Sequence, residues 1–228
     1  MFKPWFGMAF PESFWSLIRQ YFCVVGPKAP PISDLKTLRE FVESRASHVT
    51  QTSLYGYLRT RAGSRYPDLF ANDAFLVAIN AAKWNVWTAC VSDLTVYAGV
   101  VIANAGIHGE EVCARVMNRI VEDILGSTGT PAGADVAFPR LAAELRHRVQ
   151  SCRWHEARHN EPVFTESPDA LVRWAPVMEE LKQLDADIVR NSVRFRWVEV
   201  RQEFRRLLDV EGVLASANAL EQAPVYPK

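Results

Sequence analysis

The chain has 228 residues, 26 Lys plus Arg against 26 Asp plus Glu, and 49% hydrophobic residues. That composition suits a globular chain with a sizeable core, at a length for one domain or a domain with an appendage. A formal net charge of zero excludes the basic footprint of a nucleic-acid-binding protein and the acidic surplus of a disordered tail.

The basic residues are 20 Arg and only 6 Lys, a bias toward the side chain that makes several directed hydrogen bonds in an ion pair. Cys23, Cys90, Cys113 and Cys152 form no CxxC pair and sit in apolar stretches. They read as reduced, buried thiols, which points to the cytoplasm.

The first 22 positions hold eight aromatics, among them Trp5, Phe6, Phe14 and Trp15. The spacing predicts an amphipathic helix over 12–25. Pro27, Pro30 and Pro31 then make a stiff linker. Residues 1–31 thus read as an aromatic docking segment, with a membrane surface as the alternative contact. No secretory signal is legible there.

The main body spans 32–211. A helix is expected from about Ser33 to Arg61, closed by Ala62-Gly63. Residues 73–105 carry only Asp73, Lys83 and Asp93 as charges and are apolar all round, the pattern of a central helix, single or bent near Asp93. The longest stretch without Asp, Glu, Lys or Arg, Leu94 to Gly109, has 16 residues, short of the roughly 20 that a membrane span needs. Buried charges need partners, and Arg115 or Arg119 would serve Asp93. Alternatively Lys83, Trp84, Trp87, Asp93 and Tyr97 line a ligand pocket between helices.

Glu110 and Glu111 open the next helix, whose stripe is Val112, Val116, Ile120, Val121 and Ile124. A glycine loop over 126–135 follows; it lacks the Gly-Lys-Ser/Thr ending of a phosphate-binding loop. A helix is expected over 138–159, stopped by Pro162. Ser167-Pro168 reads as an N-cap and first helical residue. A long final helix covers about 177–210, with Arg190, Arg194, Arg201 and Arg205 along one side as a solvated face or an anionic docking surface. Residues 212–228 have little to bury and are expected to fray. With no period-two segment and no hairpin turn, the fold class is an all-α bundle of six or seven helices. A long central apolar helix and a long C-terminal helix are its main members.

His155-Glu156-Ala157-Arg158-His159 matches HExxH, in which two His one helical turn apart hold Zn²⁺ and the Glu activates bound water. Charged flanks and Pro162 make a polar helix end the simpler reading, so Zn is expected only if the motif is real, and no other cofactor is expected. No GxSxG nucleophile elbow occurs.

Three stretches, FVESRASHVTQTSLYGYLRTRAGSRYPDLF (41–70), AKWNVWTACVSDL (82–94) and SPDALVRWAPVMEELKQLDADIVRNSVRFRWVEVR (167–201), resemble an uncharacterised all-helical family of alphaproteobacterial proteins. Some of its members are labelled "esterase". The resemblance implies a bacterial helical protein and raises a hydrolase as an alternative, but it supplies no site residues. The leading expectation is a non-catalytic helical module that docks an unidentified protein partner in the cytoplasm, or peripherally at the inner membrane. A hydrolase and a carrier of an apolar ligand are the alternatives.

Overall fold

The computed structural model describes residues 30–105, 110–131, 134, 137–154, 156 and 163–222. The chain divides into two compact units, Met1–Pro30 and Pro31–Lys228, and the helices named here belong to the second. The expected aromatic helix, with Trp5, Phe6, Phe14 and Trp15, lies outside the described residues.

α1 spans Leu35–Ala62. Its start is fixed locally: the Thr37 amide donates to Asp34 Oδ1 at 2.7 Å, and the Asp34 amide donates to Thr37 Oγ1 at 3.1 Å. This reciprocal pair satisfies two amides that the helix itself cannot. Gly63, at φ +54°, turns the chain out of the helix. A short helical turn, Tyr66–Leu69, leads to Asn72, which caps α2 (Asp73–Asn104) by accepting from the Phe75 amide.

α2 is one unbroken helix of 32 residues, about 48 Å long. It packs on α1, α3, α4 and α5, so apolar side chains are needed on every side of it. By length and composition it could cross a membrane, yet nearly all of its apolar window is buried inside the bundle. Thr88 Oγ1 donates to the Trp84 carbonyl at 2.8 Å and Asn85 Nδ2 to the Ala81 carbonyl at 2.9 Å, whereas the buried Thr95 hydroxyl has no partner among the described residues.

α3 (Glu110–Thr128) buries Val116, Ile120, Val121 and Ile124 as the stripe predicts, while Val112 is half-buried. α4 spans Phe138–Gln150, nine residues shorter than the spacing predicts. The reason is tertiary. After Ser151 the chain turns so that Trp154, 1% exposed, can seat against Gly99 of α2. A methyl group at position 99 would overlap the Trp154 ring, so only glycine admits it.

α5 (Glu166–Trp174) begins one residue before the expected cap, so Ser167 is not an N-cap; Ser167 and Pro168 lie buried in the first turn. α6 spans Glu179–Leu207. A single parallel bridge between Ile32 and Leu208 interrupts the expected run to 210. There the Ile32 amide donates to the Leu207 carbonyl, and the Asp209 amide donates back to the Ile32 carbonyl. Beyond it residues 210–222 are helical, not frayed: α7 (Val210–Gln222) buries Val213 and Leu214, at 0% and 2% exposure, and the rest of the expected tail lies outside the described residues. Seven helices and no strand are thus present among the described residues, an all-α bundle around a central apolar helix.

Candidate functional site

Asp93 stands at the middle of α2 and is 0% exposed. A carboxylate in that position is tolerable only with several donors around it. Arg148, in the last turn of α4, donates to Asp93 Oδ1 at 2.8 Å and to Ser92 Oγ at 2.9 Å. The same guanidinium reaches the Val163 carbonyl and the Glu166 carboxylate, both within 3.0 Å. From α5, the Ser167 amide and hydroxyl donate to Asp93 Oδ2 at 2.8 and 2.6 Å, and the Glu166 amide donates to Oδ1 at 3.3 Å. Trp197 Nε1 of α6 closes the chain by donating to Ser167 Oγ at 2.9 Å.

One side chain of α2 therefore caps the N-terminus of α5 from 73 residues away in sequence. Burial pushes the Asp93 carboxyl up from the ordinary carboxylate range, while Arg148 and the Ser167 donors pull it back. The Arg115 or Arg119 pairing expected from sequence is not the one that forms. Arg119 instead pairs with Asp123 at 2.9 Å, on the surface.

Above this network lies a groove of about 460 Å³ between α2, α4 and α5. Asn85, Thr88 and Ser92 line it from α2, Arg140 and Glu144 from α4, and Glu166, Asp169 and Arg173 from α5. Most of its charges are already engaged: Arg140 with Glu144, Glu166 with Arg148, Asp169 with Arg190. Arg173 lies over the Trp174 ring, at 5.6 Å from its centroid, and pairs with no carboxylate among the described residues. The groove can receive an anionic group there. Among the described residues it brings no nucleophile together with a base: Ser167, held by Asp93 beneath the groove, is 0% exposed.

The five residues expected to line a pocket are dispersed along α2, and none lines the groove. Trp84 and Trp87 pack with Phe138 in an aromatic cluster, with centroids 5.6 to 6.4 Å apart. Lys83 lies over the Trp84 ring at 4.5 Å, and burial lowers its ammonium to about 8. Tyr97 belongs to a second cluster with Phe164 and Phe204, and its hydroxyl accepts from Arg205 Nε at 2.8 Å. The groove's own residues on α2, at positions 85, 88 and 92, form a polar line at helical spacing. That line was the signal available in the sequence.

The helix expected to carry HExxH ends at Gln150, before the motif. Residues 151–154 are not helical, and Glu156 is an exposed turn residue paired with Arg153 at 3.3 Å. His155 and His159 lie outside the described residues, and among the described residues no group of three His, Cys, Asp or Glu could hold a metal.

The arginine row of α6 is partly spent on the fold. Arg201 and Arg205 cover the rings of Phe164 and Tyr97, and Arg190 is bound to Asp169 and Asp187. Arg194 is exposed, its guanidinium bonded to Asn191 of its own helix at 3.2 Å. Beside this row runs a feature the sequence reading missed: Leu184, Ile188 and Phe195 are 77%, 71% and 77% exposed on one stripe of α6.

Compared with known proteins, the chain matches no family, no curated protein and no solved structure.

Proposed function

We propose that the chain is a non-catalytic helical module that docks a protein partner through the outer face of α6. One observation carries this reading: the apolar stripe of Leu184, Ile188 and Phe195 on a helix whose opposite face supplies Val193, Trp197 and Phe204 to the core. Large apolar side chains left in water at that density mark an interaction surface more often than a resting one. The groove supports the same reading by default, since its charges are largely neutralised within the protein. The test is a photo-crosslinking residue at the exposed Ser192, placed in the full chain in its own cells. A discrete crosslinked product that Ile188→Glu removes is the expected result. A product pattern unchanged by Ile188→Glu, or no product, overturns the reading.

A further inference from the structure

We infer that the partner of the α6 face is a second copy of this chain, with the two α6 helices pairing antiparallel. The inference rests on the docking reading and specifies its partner.

The stripe has the spacing of a helix-pairing seam. Leu184, Ile188, Asn191, Phe195 and Val198 follow one another at steps of 4, 3, 4 and 3 residues. Alternating steps of that kind keep a seam in line along two supercoiled helices. Of the five large apolar side chains most exposed among the described residues, three stand on this seam. One polar residue, Asn191, sits near its middle, its Oδ1 accepting from Arg194 of its own helix at 3.2 Å.

The flanking charges choose the partner and its direction. Along one edge of the seam, at seven-residue intervals, stand Glu180, Asp187, Arg194 and Arg201. The first two are acidic and the last two basic. In a parallel pair this edge would face Asp185, Ser192 and Glu199, of which Asp185 is buried against Arg61 and Tyr57 within its own chain. In an antiparallel pair the edge faces itself. Asp187 then meets Arg194 of the other copy and Glu180 meets Arg201, each twice by the two-fold axis. The same register sets Leu184 against Phe195 and Ile188 against Asn191. Slipping either helix by one heptad would put Arg194 against Arg194, a like-charge contact that works against the slip.

Three of these residues are open for pairing, while Arg201 is half-buried over the Phe164 ring, so the Asp187–Arg194 pair carries the choice of register. Asp187 is 95% exposed at its side chain, and its contact with Arg190 within the chain, at 3.4 Å, is the weak kind that surface charges exchange readily. Arg194 and Glu180 are also exposed. The seam is short, so the pair is a micromolar one, of the small transient class.

Sedimentation analysis of the purified full chain from about 1 to about 500 µM tests this. The expected result is a reversible rise from 25.8 kDa to twice that mass. Asp187→Arg and Arg194→Asp should each weaken association about tenfold or more, and the double variant carrying both should restore it. Far-UV circular dichroism of each variant confirms the fold; both positions are on the surface. A chain that stays monomeric throughout overturns the inference, as does a dimer whose affinity ignores both charge reversals. If the chain is monomeric yet the Ser192 crosslink to another protein persists, the docking reading stands and only the identity of the partner fails. Loss of both sinks the two together.

Discussion

Asp93 shows how one residue can be costly and still fix a structure. Its carboxylate is fully buried, which alone would be prohibitive, but it accepts from Arg148, from the Ser167 hydroxyl and from two amides at the start of α5. Truncation to alanine would leave those amides without an acceptor and Arg148 with only the half-exposed Glu166 as a counter-charge. Asp93→Ala should therefore cost about 3–5 kcal/mol in urea unfolding, the range for breaking one side of a buried pair. Glu166→Gln, at the wetter end of the same network, should cost under about 1 kcal/mol. Equal losses for the two would show that Asp93 has no special place in the fold.

At the scale of elements, the starts and stripes of α1, α2 and α3 were legible because their causes are local. Asp34 with Thr37, Asn72 at its cap and the Val116 to Ile124 stripe act within a few residues. The features that escaped have causes far away in the chain. α4 stops where Trp154 must reach Gly99, and the start of α5, which Ser167-Pro168 did mark, is capped not by Ser167 but by Asp93. Neither Trp154 nor Ser167 carries a local mark of the distant contact it makes. The need of Asp93 for a partner was readable, but choosing Arg148 among 20 arginines was not. α7 escaped because its burial depends on α1 and α3, which it meets at the far end of the chain. Its Ser216 hydroxyl accepts from the Leu35 amide at 3.0 Å, and Val213 and Leu214 are sealed in the core. Ending the chain after Asp209 should lower stability by about 3 kcal/mol, the worth of two buried aliphatic side chains. Thermal unfolding of the truncated chain checks this, and an unchanged Tm would return these residues to the status of a loose tail.

For the whole molecule, a zero net charge hides groups whose burial makes stability depend on pH in opposite directions. Burial, helped by Arg45 and Arg196, holds His48 below its ordinary 6.5. The unfolded chain then takes up a proton first as pH falls below 6.5, and stability declines on the acid side. Lys83 is lowered from 10.5 to about 8 by burial, so between those values the unfolded chain holds the proton that the folded chain has released. Stability gained from Lys83 thus grows as pH rises from about 8 to 10.5. Cys90 and Cys113 oppose it, since burial lifts both thiols from 9 to about 12 and the unfolded chain loses those protons first. The net curve should rise from pH 8 to 9, where Lys83 acts alone, and flatten or fall beyond. Lys83→Met isolates the lysine share, because the cysteine terms are common to both proteins and cancel in the difference. The variant's stability relative to wild type should fall by about 3 kcal/mol between neutral pH and pH 10.5, as wild type gains what Lys83 contributes. Urea titrations at four or so pH values measure it. A difference that stays constant across that range would mean that Lys83 keeps its proton in the folded chain, held there by the face of Trp84.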